Sequence, residues 1–167
     1  LPVGADTMAA LAQEVLRVAP PRFALAGLSM GGIVAMEILA QAPDRVDRLA
    51  LLDTNPLAEA PEIQNKRGPQ IARALQGDLA QVIRTEMKPY YLAKGPDQTA
   101  ILDLCLDMAL TLGPAVFARQ SLALRNRADR QGALAAFSGP ALVLMGAQDQ
   151  LCPRTRHDLM HDLMPQS

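Results

Sequence analysis

Gly27-Leu28-Ser29-Met30-Gly31 decides the reading of this chain, because one periodicity gives way to another across it. Before it, Arg22-Phe23-Ala24-Leu25-Ala26 is a short apolar run bounded by Pro20-Pro21 and Gly27, which predicts a buried parallel strand. After it, Ile33, Met36 (or Glu37) and Ala40 recur at helical spacing until Pro43. A serine on so sharp a strand-to-helix turn has its hydroxyl held clear of the backbone, which makes a weak alcohol an accessible nucleophile. Chance alone produces G-x-S-x-G in roughly one chain of this length in twenty, so the flanking strand and helix give the motif its meaning. Gly27 and Gly31 are expected to serve a steric purpose, with Gly32 extending the close approach, because a Cβ there would meet the adjoining strand or helix. The Met30 N–H, first after the serine, is expected to face the oxygen of an attacked carbonyl.

Working outward, Met8, Leu11, Ala12, Val15 and Leu16 form an apolar stripe at helical spacing, with Asp6 as the expected N-cap. Val46 to Leu52 reads as a second buried strand, closed by Asp53-Thr54-Asn55-Pro56. A third strand, Ala141 to Met145, enters from Gly139-Pro140 and leaves through Gly146-Ala147-Gln148-Asp149. Strands alternating with helices imply an α/β fold with a parallel sheet, whose ligand site lies beyond the carboxyl ends of the strands. Ser29, Asp53 and Asp149 all fall at such ends.

Between these outer parts the strand signals stop. Ile71 to Leu75, Leu79 to Met87, Asp97 to Leu112 and Pro114 to Arg125 show helical spacing, punctuated at Gly77-Asp78, Pro89, Gly95-Pro96 and Gly113-Pro114. The organisation is therefore a core formed by 1–56 and 128–167, with a helical insertion over 57–127. The run Ile101 to Met108 is apolar around most of its circumference and is expected to be covered on more than one side, with Asp103 and Asp107 on a solvated strip.

Composition narrows the classes. Over 167 residues, 50% apolar and 20% charged residues suit one globular core, and a net charge of −1 with 3% aromatic residues offers neither a phosphate-tracking surface nor a base-stacking platform. Nucleic acid is not an expected partner. Cys105 and Cys152 lie far apart without metal-ligand spacing, and neither a leader nor an apolar stretch of membrane-spanning length is read. These features predict a cytoplasmic protein without membrane partners; the first residue is Leu1 rather than Met, which leaves a leader open.

The elbow, the Leu49 to Asp53 strand, the helical insertion and Ala141 to Asp149, in that order, resemble the α/β-hydrolase family with a cap domain. Within it the chain is most similar to small cofactor-free hydrolases of the enol-lactonase, proline iminopeptidase and carboxylesterase kind. The resemblance implies a partial α/β-hydrolase fold of three parallel strands flanked by helices, with Ser29 as nucleophile and the Met30 amide as an oxyanion donor. It also places the acid of the triad at Asp149, in Gly146-Ala147-Gln148-Asp149, where a carboxylate orients a histidine and stabilises the imidazolium. Asp53 is the second choice for that acid, with a turn-capping role set against it. The implied substrate is a small acyl compound, an ester, lactone, thioester or amide, attacked to give an acyl-enzyme. Leu28 and Asn55 are expected at the pocket, and no cofactor or metal is expected. Arg119 and Gln120 are read as surface groups that could alternatively face the site.

The histidine departs from the family pattern. His157 and His161 are the only histidines, both on a helix that begins at Pro153 and buries Leu159, Met160, Leu163 and Met164, which is expected to leave both rings on the wet side. The family's base belongs after a further strand, beyond Ser167, and the loop supplying the second oxyanion N–H belongs upstream. The sequence thus reads as an internal slice of a hydrolase, inactive by itself. Two other classes stay open. His157-Asp158-Leu159-Met160-His161 approaches the H-E-x-x-H zinc pattern but has Asp where Glu is needed and no third ligand. A non-catalytic binding protein on the same fold is the remaining alternative.

Overall fold

The computed structural model describes residues 3–87 and 92–167. The Pro89 break lies outside the described residues. The first helix, α1 (Met8–Val18), is capped by Thr7 rather than Asp6: the Thr7 hydroxyl accepts the Ala10 amide at 3.2 Å. Thr7 has the extended backbone an N-cap needs, and its Oγ1 reaches the third amide of the helix. Met8, Leu11 and Ala12 are buried, and Val15 and Leu16 pack beside them.

Three strands follow the predicted order, β1 (Phe23–Leu28), β2 (Val46–Leu52) and β3 (Ala141–Leu144). They form one parallel sheet in the order β1-β2-β3, with Leu28 level with Leu52 and Leu52 level with Leu144. The three carboxyl ends are therefore flush. Between β1 and β2 runs α2 (Met30–Gln41), which ends before a short 3-10 turn at Pro43–Arg45. Val34 to Leu39 are all buried while Ala40 is exposed, so α2 is enclosed on nearly all sides instead of presenting the single stripe through Ala40. Glu37 tolerates this burial because Arg130 Nε donates to its carboxylate at 2.8 Å and Gln41 Nε2 at 3.0 Å.

One face of the sheet carries the core. α2 packs on β1 and β2, α1 packs on α2, and two further helices, α6 (Gln131–Ala135) and α7 (Arg154–Leu163), complete the layer beside β3. Leu11, Met36, Ile38, Leu51, Leu134, Met160 and Met164 are fully buried there. The opposite face is open, with Ala24, Ala26, Leu28, Arg48, Leu142 and Leu144 exposed. Arg45 joins α1 to the sheet by donating to the carbonyls of Leu16, Ala19, Pro20 and Pro21 at 2.7–3.2 Å, with its guanidinium 5.5 Å from the Phe23 ring centroid. The Leu16 and Ala19 carbonyls lie at the carboxyl end of α1, where intrahelical donors run out.

Between β2 and β3 lie α3 (Pro61–Arg73), a π-type turn at Ala74–Asp78, α4 (Leu79–Val82), a second π-type turn at Ile83–Met87, and α5 (Gln98–Arg125). Ala74, Leu79, Ile83 and Leu106 form an apolar cluster of their own, while Ala123, near the end of α5, belongs to the main core. Gly113, at φ 81° and ψ 171°, breaks α5 at the predicted Gly113-Pro114 position. By length and composition α5 is the one helix among the described residues that passes as membrane-spanning, where the sequence suggested no such stretch. The Gly113 break leaves segments shorter than the ~20 residues that a straight span requires. Ile101, Leu104, Met108 and Leu112 are exposed along its first part, so the run expected to be covered on several sides is bare on this one.

Candidate active site

Ser29 follows the last residue of β1 and precedes the first of α2. Its backbone sits at φ 51° and ψ −118°, a conformation that costs an L-residue about 1–3 kcal/mol and persists only where surrounding contacts enforce it. They are on view. The Ser29 amide donates to the Leu52 carbonyl at 2.9 Å, continuing the ladder one residue beyond the strand. The Ser29 carbonyl accepts the Gly32 amide at 2.9 Å and the Ile33 amide at 3.3 Å, the first turn of α2, together with the Thr54 hydroxyl at 2.8 Å.

The glycines around it divide. A Cβ on Gly27 would stand 2.3 Å from the Gly31 carbonyl oxygen, and one on Gly32 would stand 2.5 Å from Thr54 Oγ1. Gly31, by contrast, has nothing within 4 Å of its Cβ position, so the steric requirement expected there falls on Gly32. In the helical register it is Gly32 that turns toward the end of β2.

A serine at a helix N-cap ordinarily folds its hydroxyl back onto the helix amides. Ser29 makes no such bond and is exposed, so Oγ stands free above the sheet. The Met30 amide is the first of α2 and has no intrahelical acceptor. Leu28, beside it, is 62% exposed.

Asp149 lies half-buried in the loop after β3, its amide donating to the Gly146 carbonyl at 3.0 Å. Its Oδ1 accepts the Leu151 amide at 2.8 Å and the Cys152 amide at 3.0 Å, and among the described residues Oδ2 has no hydrogen-bond partner. Asp53, with φ 43°, does not cap its own following turn: Oδ1 reaches across to the Gly146 amide at 2.7 Å. That turn is held by Asn55, whose Oδ1 accepts the Leu57 amide at 3.0 Å. With the strand ends flush and neighbouring strands about 4.8 Å apart, the ends of β1 and β3 lie roughly 10 Å from each other across β2. Ser29 and Asp149 are not bonded to one another.

Neither histidine is bonded to Ser29 or Asp149. His157 is 4% exposed, contrary to the wet-side expectation; its Nδ1 lies 3.4 Å from the Pro153 carbonyl and its Nε2 has no partner among the described residues. His157, Met160 and Met164 are the buried stripe of the α7 region, which packs on α6 and β3, so the inward face is rotated toward His157. His161 is exposed, with Nδ1 2.9 Å from the Ser167 hydroxyl. Among the described residues no cluster of three His, Cys, Asp or Glu side chains could hold a metal ion. Arg119 is not a solvated surface group: its Nε donates to the Val3 carbonyl at 3.0 Å.

No signal in the sequence marks the buried ion cluster at the two ends of the helical insertion. Glu59 accepts Arg67 at 2.9 and 3.0 Å and Arg127 at 2.6 Å, with all three side chains nearly buried. Burial alone would raise the Glu59 carboxyl, but the two guanidinium groups outweigh it and hold the carboxyl below its ordinary range. Arg127 also donates to the Leu57 carbonyl, tying the two ends of the helical insertion together. Nearby, burial first and the Asp149 charge second push the Cys152 thiol up to about 11. A groove of about 840 Å³ bordered by Arg22, Pro43, Asp47 and Phe137 lies at the amino ends of the strands, opposite Ser29.

Comparison with known proteins agrees with this arrangement. The family model described as "Serine aminopeptidase, S33" matches residues 5–167. A pimeloyl-[acyl-carrier protein] methyl ester esterase from Klebsiella pneumoniae is 27% identical over 171 residues, covering 98% of this chain and 66% of its own. The enzyme of the same description from Pectobacterium carotovorum is 30% identical, covering 90% of this chain and 61% of its own. A thermophilic esterase from Thermogutta terrifontis superposes with a TM-score of 0.84 at 29% identity, over 100% of this chain and 63% of that one. The enol-lactonase from Burkholderia xenovorans shares the fold, with a TM-score of 0.78 at 21% identity, over 96% of this chain and 62% of that one. The chain spans about two thirds of the length of these relatives.

Proposed function

This chain belongs to the serine aminopeptidase family of α/β hydrolases, and from that premise we propose that the whole protein is a serine esterase with Ser29 as its nucleophile. The observation that carries the reading is the Ser29 hydroxyl: exposed, free of any capping bond, and held at a strained φ where a strand meets a helix. Catalysis would proceed by attack of Ser29 Oγ on a carbonyl carbon while its proton passes to an imidazole. The carbonyl electrons move to oxygen, where the Met30 N–H meets them. Collapse of that oxyanion expels the alcohol, which takes the proton from the imidazolium, and water then releases the acid by the same sequence in reverse.

Asp149 is the proposed orienting acid. Its Oδ1 is locked by two amides, which leaves Oδ2 for the imidazole N–H. The roughly 10 Å between the ends of β1 and β3 suits a ring placed between nucleophile and acid. Since His157 is buried and His161 is turned to Ser167, the base is assigned to a part of the protein beyond these residues. The helices over 57–127 are read as a cap above the strand ends. The substrate class is a carboxylic ester with a small alcohol, following the methyl ester esterases among the relatives. Leu28 and Asn55 are proposed for the pocket rim.

The test uses the full-length protein. Reaction with a fluorophosphonate should label one serine, found at Ser29 by peptide mass spectrometry, and Ser29→Ala should abolish both labelling and hydrolysis of p-nitrophenyl acetate. Undiminished hydrolysis by Ser29→Ala would overturn the assignment.

A further inference from the structure

We infer that Thr54 is a positioning residue for the oxyanion-binding amide, acting through its hydroxyl bond to the Ser29 carbonyl; this rests on Ser29 being the nucleophile. Thr54 is fully buried just beyond β2, and Oγ1 donates to the Ser29 oxygen at 2.8 Å. A carbonyl oxygen can only accept, so the donor is the hydroxyl.

The Ser29 carbonyl and the Met30 N–H belong to one peptide unit. No cis bond occurs among the described residues, so in this planar unit the two groups point in opposite directions. Whatever fixes the direction of the Ser29 carbonyl therefore fixes the direction of the Met30 N–H. Two of the three donors on that oxygen, the Gly32 and Ile33 amides, belong to α2 and would turn with it. Among the described residues, Thr54 alone anchors the peptide from outside the elbow helix, from just past the neighbouring strand's end. Its hydroxyl also withdraws electron density from the same amide, which makes the Met30 N–H a stronger donor to a developing negative charge.

The packing supports a dedicated contact. A Cβ on Gly32 would stand 2.5 to 2.7 Å from Thr54 Oγ1, Cβ and Cγ2, so the glycine opens the space through which Thr54 reaches the Ser29 oxygen. A threonine is fixed at χ1 by its branched Cβ, which holds the hydroxyl on target with little entropy lost. Removing an oxyanion donor outright costs about 10²–10³ in rate, and an amide left in place but less firmly aimed loses part of that.

The experiment compares Thr54→Val, which keeps shape and loses the hydroxyl, with Thr54→Ser, which keeps the hydroxyl. In the full-length protein, Thr54→Val should lower kcat on a p-nitrophenyl ester about tenfold with KM within about twofold of wild type. Affinity for a trifluoromethyl ketone, whose adduct carries an oxyanion, should fall by a similar factor. Thr54→Ser should restore both to within about twofold. If the second methyl of valine cannot be accommodated beside Gly32, Thr54→Ala against Thr54→Ser supplies the same contrast. Wild-type kcat and ketone affinity without the hydroxyl would overturn the inference, and so would equal losses in the serine variant, which would make the effect one of packing. Ser29→Ala separates the two readings: hydrolysis surviving that change removes the nucleophile assignment itself, whereas its loss with full activity in Thr54→Val removes only the role of Thr54.

Discussion

Asp53 Oδ1 accepts the Gly146 amide at 2.7 Å, so the end of the central strand holds the start of the loop that carries Asp149. The adjacent residue, Thr54, holds the peptide after Ser29. Two consecutive side chains just past the end of β2 thus brace the Ser29 turn on one side and the Asp149 loop on the other. The proposed chemistry sits on strand ends, with its supporting bonds made from the strand between.

The two carboxylates should separate by variant. In the full-length protein, Asp149→Asn is expected to lower kcat by about 10⁴, the loss seen when a triad acid can no longer select the imidazole tautomer. Asp53→Asn keeps an acceptor for the Gly146 amide and a side chain that tolerates positive φ, so it should retain activity within about tenfold. Steady-state kinetics on both variants decides between them; a larger loss at Asp53 would exchange their roles.

The elbow glycines make a second contrast. Gly27→Ala would press a methyl group to 2.3 Å from the Gly31 oxygen and should destabilise the protein by about 2 kcal/mol or more, with loss of activity. Gly31→Ala meets nothing within 4 Å inside a helix and should be neutral or stabilising by about 0.5–1 kcal/mol. Urea unfolding of the two variants reads this directly.

The Glu59 cluster gives a pH signature. An unfolded glutamate titrates at about 4.3, and the folded Glu59 carboxyl, held by Arg67 and Arg127, titrates below that value. The stabilisation is therefore complete above that value and is lost as pH falls through the lower, folded one. Glu59→Gln leaves Arg67 and Arg127 buried without a counter-charge and should cost about 3 kcal/mol at pH 7. Thermal melts from pH 7 to 3 should show a shallower acid-side fall in the variant than in wild type.

Cys152 should be inert to alkylation near neutrality. With its thiol pushed up to about 11, roughly one molecule in a thousand carries the thiolate at pH 8. Iodoacetamide labelling followed by mass spectrometry should show slow modification of Cys152 at pH 8, accelerating about tenfold per unit as pH rises toward 10. Fast labelling at pH 7 would contradict the buried, acid-flanked placement.

Much of this was legible in the residues. Val46 to Leu52 is a strand over its whole predicted length, because it is the central strand, paired with β1 on one side and β3 on the other. The helix break at Gly113-Pro114 was readable since a left-handed glycine before proline has few other uses. Other features depend on partners distant in sequence. The burial of Glu37 becomes intelligible only with Arg130, and that of Glu59 only with Arg67 and Arg127. α6 has five residues, too few for a periodic signal, and α3 opens with the polar run Pro61-Glu62-Ile63-Gln64-Asn65. The inward turn of His157 follows from packing on α6 and β3, which no single-helix pattern reports.

The flush pairing of Leu28 with Leu52 has an implication for how such a protein can change over evolutionary time. Sliding one strand past its neighbour by a single residue would reverse which side chains face inward and carry Ser29 out of reach of Thr54 together. Alignment of Ser29 with Thr54 and burial of the interior are consequently the same constraint. The tips of β1 and β2 must therefore vary as a matched pair.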